Sequence, residues 1–134
     1  MQKHGITVID DTYNASPVSM KAGLEVLEAT AKGRRIAVLA DMKELGELAG
    51  LYHVKVGEFV ASRNFTQLLL FGEMSEYYKK GASAAGMNPD KIRIFESKEQ
   101  IAEFISSGLC EKDVVLVKGS RSMKMEDVVN RLIA

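Results

Sequence analysis

Short apolar runs alternate with helical stripes along the whole chain. Ile6 to Ile9, Arg35 to Ala40, Gln67 to Phe71, Lys91 to Phe95 and Asp113 to Val117 predict five strands. IAVL, LLLF and VVLV are apolar at successive positions. Both faces of such strands are covered, as in a parallel sheet with helices on either side. Between the runs, Met20, Leu24, Leu27 and Ala31 recur at helical spacing, as do Tyr52, Val56, Phe59 and Val60. Met74, Tyr77, Tyr78 and Ala85 mark a third stripe, Ile101, Phe104 and Ile105 a fourth, and Met125, Val128, Val129 and Leu132 a fifth. The expected fold is one α/β domain over residues 1–134, a three-layer helix–sheet–helix around a mostly parallel, Rossmann-like sheet.

Turn and cap residues agree with this division. Ser16-Pro17 reads as an N-cap followed by proline at the first helical position. Ser97 with Gln100 has capping-box spacing, and Asn88-Pro89-Asp90 reads as a turn. Gly33 and Gly108 are placed to stop helices. No linker, repeat or low-complexity tract divides the chain. Asp41 to Gly50 is long for a connection between strand and helix, with a helical turn expected within Lys43 to Leu48.

Composition narrows the function classes. Eighteen basic and eighteen acidic residues give zero formal net charge, so no nucleic-acid partner is expected. No apolar run reaches membrane-spanning length, which leaves no membrane role and a cytoplasmic location as expectations. One cysteine, Cys110, forms neither an internal disulfide nor a multi-cysteine metal site. His4 reads as peripheral and His53 as a helix-surface residue, and no metal site is expected.

Chemistry-bearing residues fall where predicted strands end. Asp10 and Asp11, Asp41, Gly72 and Lys118 are all at carboxyl ends, the edge at which parallel sheets bind ligands. In Asp10-Asp11-Thr12-Tyr13-Asn14, adjacent carboxylates on a strand point to opposite faces. One can face a ligand, accepting ribose hydroxyls or orienting a metal-bound water, while the other holds a loop; Tyr13 can stack and Asn14 can read an amide-like edge. The alternative is a turn that caps the helix at Pro17. In Lys118-Gly119-Ser120-Arg121-Ser122, a short turn feeding a helix suits an anion, with Lys118 a mobile charge and Arg121 a bidentate fork. The alternative there is a capped helix with solvated bases. Asp41 reads as a rim acid, and Glu44 and Glu47 could bind a cation only with help from elsewhere; the alternative is a solvated charged turn. Neither GxxxxGK[ST] nor GxGxxG occurs, so a nucleotide would meet only one wall of its site here.

Three segments together resemble the C-terminal domain of the Mur ligases. They are VIDDTYNASPVSMKAGLEVL at 8–27, IAVLADMKELGELAGLYHVKVG at 36–57 and LVKGSRSMKMEDVV at 116–129. The likeness is above all to the branch that adds D-alanyl-D-alanine to UDP-N-acetylmuramoyl-tripeptide in peptidoglycan precursor synthesis. Ala40 stands where that branch carries glycine before Asp41. The resemblance implies a piece of a three-domain enzyme whose N-terminal domain holds the UDP-sugar and whose central domain holds ATP and Mg2+. The isolated chain is then inactive. It also implies nucleotide-side roles for Asp10, Asp11, Tyr13, Asn14 and Asp41, with Asp41 and Glu44 orienting rim loops. Lys118, Ser120 and Arg121 line the way in for D-alanyl-D-alanine, and Arg121 meets its terminal carboxylate. The competing expectations are a receiver-like module phosphorylated on an acid and a partner-docking module without chemistry.

Overall fold

The structure is a computed structural model and describes residues 2–3 and 5–134. His4 lies outside the described residues. The elements run β1 Gln2–Lys3, β2 Ile6–Asp11, α1 Pro17–Thr30, β3 Arg35–Ala40, α2 Ala49–Ser62, β4 Gln67–Phe71, α3 Ser75–Ala84, β5 Ile92–Phe95, α4 Lys98–Ser107, β6 Val114–Lys118 and α5 Glu126–Ile133. Single 3-10 turns occupy Gly46–Leu48, Pro89–Lys91 and Arg121–Met123.

The expected three layers are present. Among the described residues the sheet is ordered β1-β2-β6-β3-β4-β5, parallel throughout except for β1 against β2. The pattern of five apolar runs misses β1, which has two residues and is too short to carry a period. The first long strand extends two residues further than expected, so Asp10 and Asp11 lie inside β2. β6 likewise ends on Lys118.

Strand alternation sorts the core into two faces. Leu39, Leu68, Leu70 and Leu116 pack with Met20, Leu24, Leu27, Val60 and Tyr78 from α1, α2 and α3. Val38, Leu69, Val115 and Val117 pack with Ile101, Ile105, Val128 and Leu132 from α4 and α5. Each central strand therefore buries both of its faces, which its unbroken apolar sequence requires.

Two helical stripes shift in three dimensions. In α2 the buried residues are His53, Val56, Gly57 and Val60, with Tyr52 and Phe59 only partly covered. In α3 they are Ser75, Tyr78, Gly81 and Ala82, while Tyr77 is exposed. The cause is a close helix crossing. A Cβ on Gly57 would strike the Tyr78 carbonyl, and one on Gly81 would strike the Val54 carbonyl. Small residues admit that approach, and an apolar count does not register them.

Most of the caps hold. Ser16 accepts the Ser19 amide at 3.1 Å, while the Ser19 hydroxyl accepts the Ser16 amide at 2.8 Å. Ser97 caps α4, but the Gln100 carbonyl takes the Glu96 amide instead of completing a box with Ser97. Asn88 caps the 3-10 turn that begins at Pro89. Gly108 is the C-cap of α4. Gly33 does not stop α1, whose C-cap is Ala31; its own role is to lie against the Lys112 carbonyl, 2.8 Å from where a Cβ would stand.

Candidate functional site

Strand order brings the two chemical segments together. β6 sits between β2 and β3, with Asp11 beside Lys118 and Lys118 beside Leu39 in register. The carboxyl ends of β2, β6 and β3 thus form one rim. Asp10, Asp11, Tyr13, Asn14, Asp41, Lys118, Ser120 and Arg121 all lie on it or on the loops it launches.

Lys118 is not the mobile surface charge expected from the sequence. It is 1% exposed. Its ammonium donates to Asp11 Oδ2 at 2.8 Å and to the Asn14 carbonyl at 3.1 Å. The α1 residue facing this pair is Gly23, where a Cβ would stand 3.1 Å from Lys118 Cδ and 3.2 Å from Asp11 Oδ2. Asp11 therefore turns toward α1 and holds the loop. Asp10 turns the other way, is exposed, and accepts the Thr12 hydroxyl at 2.7 Å. The Asn14 carboxamide oxygen is used locally, accepting the Ala15 amide at 2.8 Å.

Arg121 and Tyr13 form the outward wall. Tyr13 is 73% exposed, and the Arg121 guanidinium lies 5.3 Å from its ring centre. No carboxylate of the described residues pairs with Arg121. Asp10, Asp11, Thr12, Tyr13, Arg121 and Glu126 line an open depression of about 410 Å³. Thr12 and Glu126 were not singled out from the sequence; Glu126 stands at the start of α5, where an acid also complements the helix dipole. The basic segment does not run directly into a helix. A 3-10 turn and the left-handed Lys124, at φ 52°, intervene, and the first turn of α5 holds Glu126 and Asp127. Its N-terminus is thus complemented by its own acids. A larger depression of about 500 Å³, between β5 and α4, holds Arg93 over Phe104 and no rim residue.

The third segment ties loops together. Asp41 is 1% exposed and accepts the Glu73 amide at 3.0 Å and the Met74 amide at 2.9 Å. Gly72, at φ 117°, permits this, because a Cβ there would overlap the Asp41 carboxylate. Lys43 approaches the same carboxylate at 3.5 Å. Ser120 joins this loop to the basic segment: its amide donates to the Asp41 carbonyl at 3.0 Å and its hydroxyl accepts the Lys43 amide at 2.7 Å. Glu44 is exposed at φ 62°. His53 corrects the surface expectation: it is fully buried beneath this loop. Burial lowers its pKa from the ordinary 6.5. Burial also pushes the Tyr78 hydroxyl well above its usual range.

Chemically, the outward wall offers a carboxylate for hydroxyl groups, a ring for a planar group and an unpaired guanidinium for an anion. Exposed Val18, Leu48 and Leu51 stand on the loops and first turns around the same rim.

A family model described as Mur ligase, glutamate ligase domain, matches residues 1–121. The UDP-N-acetylmuramoyl-tripeptide–D-alanyl-D-alanine ligase of Bacillus subtilis is 31% identical over 130 residues, 96% of this chain and 28% of that protein. The crystal structure of the MurF ligase from Thermotoga maritima in complex with ADP superposes with a TM-score of 0.82 at 30% identity, over 98% of this chain and 29% of that one. A MurF structure from Acinetobacter baumannii gives a TM-score of 0.85 at 28% identity, again over 98% of this chain and 29% of the other. The chain therefore spans under a third of the length of each of these proteins.

Proposed function

This chain belongs to the Mur ligase family, and on that premise we propose that it is the C-terminal domain of an ATP-dependent ligase joining D-alanyl-D-alanine to UDP-N-acetylmuramoyl-tripeptide. The observation that carries the reading is the rim itself: an unpaired Arg121 over exposed Tyr13, beside Asp10, at the ends of adjacent strands β2 and β6. Such a surface complements a nucleotide and a small carboxylate presented by a neighbouring domain.

In this reading Tyr13 and Asp10 meet the base and ribose of ATP, and Arg121 holds the terminal carboxylate of the dipeptide. Lys118 and Asp11 hold the turn that presents Tyr13. Asn14 shares in this through its carbonyl. Asp41 and Ser120 act through the loops they tie, since both Asp41 oxygens are already engaged. The residues fit one face of a nucleotide. They do not fit Mg2+: Asp10 and Asp11 diverge, and Asp11 is neutralised by Lys118. No step through the metal is assigned to this chain, and the phosphate cradle belongs to the central domain. The contribution of this domain is to close over that domain, exclude water from the activated carboxyl group and orient the attacking amine. A receiver-like role has less support, because Asp41 is buried rather than open to a phosphodonor.

The test is steady-state kinetics in the three-domain enzyme carrying this chain. Arg121→Ala should raise KM for D-alanyl-D-alanine by roughly 10–100-fold, the loss of about 1.5–3 kcal/mol from a charged hydrogen bond, and leave KM for ATP within about twofold. Equal losses for both substrates would remove the assignment.

A further inference from the structure

The loop after β3 is held by side chains from beneath. His53 Nε2 accepts the Met42 amide at 3.0 Å, so that nitrogen carries no proton. Nδ1–H then donates to the Ala49 carbonyl at 2.7 Å. The imidazole meets Tyr78 edge-on, with ring centres 4.8 Å apart. Tyr78 in turn donates its hydroxyl to the Ala40 carbonyl at 2.8 Å. The backbone on both sides of Asp41 is thus gripped by side chains from α2 and α3. From there Ser120 carries the connection to Arg121, through the Asp41 carbonyl and the Lys43 amide.

We infer that His53 is a positioning residue: its neutral ring sets the Asp41–Lys43 backbone and, through Ser120, the placement of Arg121 on the rim. His53 touches no substrate. The inference rests on the rim being the working surface, and it adds to that reading the part that sets the rim's geometry. A protonated ring donates from both nitrogens and loses the Met42 amide. The charged and titratable groups facing the ring are Asp41 at the end of β3, Lys43 in the loop and Tyr78 on α3. Burial is the main influence favouring the neutral form; the Ala49 carbonyl and Asp41 favour the proton, and Lys43 opposes it.

The decisive measurement is amide hydrogen exchange on the 134-residue chain near neutral pH. In His53→Ala, exchange at Met42, Lys43 and Ser120 should accelerate at least ~10-fold relative to the sheet amides of Val38 and Leu69, the effect of stranding a buried donor. His53→Gln, which restores an acceptor, should bring Met42 back to within about threefold of wild type. His53→Ala also opens space beside Tyr78. If that variant does not fold, wild-type exchange on acidification decides, with the three rim amides opening before the sheet. Rim amides that merely follow the sheet, or a Gln variant no better than Ala, would overturn the inference. In the three-domain enzyme, His53→Ala should raise KM for D-alanyl-D-alanine more than KM for ATP, with rescue by Gln. If the wild-type enzyme makes no use of the dipeptide, the proposed function fails, while the exchange result still decides whether His53 sets the loop.

Discussion

The two ends of the same sheet each carry a cross-strand ion pair with one buried partner, built in opposite senses. At the amino end Arg34 binds Asp113 through two nitrogens, at 2.9 and 2.6 Å. The Asp113 side chain is fully buried, takes the Cys110 amide as well, and Arg34 reaches on to the Gly108 carbonyl at 2.6 Å. At the carboxyl end the buried partner is Lys118, and the acid, Asp11, keeps 40% of its side chain exposed. At the amino end the Asp113 carboxylate is saturated by the chain's own groups. The other end keeps an accessible carboxylate, an exposed ring and an unpaired guanidinium. The two pairs thus differ in whether their charges are already satisfied within the fold.

The largest expected effect lies at the saturated end. Arg34→Met strands the Asp113 carboxylate and should cost about 3 kcal/mol, the lower part of the range for a broken buried pair, because Arg34 itself is partly solvated. Urea unfolding should show a lower midpoint with unchanged slope. A loss under ~1 kcal/mol would mean that water replaces the arginine and the two ends are energetically alike.

Acid should separate the ends next. Burial alone would raise the Asp113 pKa, but the Arg34 hydrogen bonds, the Cys110 amide and the Arg34 charge outweigh it and hold it below its usual 3.8. Its stabilisation is present above about that value and is lost as pH falls through the lower folded pKa. His53 is a base held neutral, with a folded pKa below 6.5. The unfolded chain takes up the proton first, so stability declines as pH falls below about 6.5, by at most ~1.4 kcal/mol per pH unit. Unfolding midpoints from neutral to acid pH should show both declines. His53→Gln should remove the upper one and Arg34→Met should reduce the lower. A wild-type curve flat from about pH 7 to 5 would remove the first.

The smallest effect belongs to Lys118→Met, about 1 kcal/mol or less in the same urea assay. An apolar side chain of similar length fills the buried stem, and Asp11 rehydrates at its exposed side. A loss matching that of Arg34→Met would show that the open end is also a structural clamp.

Much of the fold was legible because strand and helix periods are local properties. IAVL and VVLV announce two covered faces, and Ser16-Pro17 announces a helix start, without knowledge of any neighbour. The rim segments were legible for the same reason, as polar clusters ending apolar runs. The fates of individual polar residues were not. His53 looked like a surface histidine and Lys118 a mobile charge, and Gly57 carried no signal at all. Each is buried by partners far away in sequence: Met42 and Tyr78 for His53, Asp11 for Lys118, and the Tyr78 carbonyl for Gly57.

By itself, then, the order of residues settled where the five longer strands lie, that helices cover both faces, and which polar clusters stand at the strand ends. Tertiary structure alone decided that β6 inserts between β2 and β3, which of two adjacent aspartates is neutralised, and that a histidine lies under the loop joining β3 to α2. Periodicity is written in neighbouring positions. The burial of a charge or an imidazole depends on whether a distant segment supplies its hydrogen bonds, and that is known only once the chain has closed on itself.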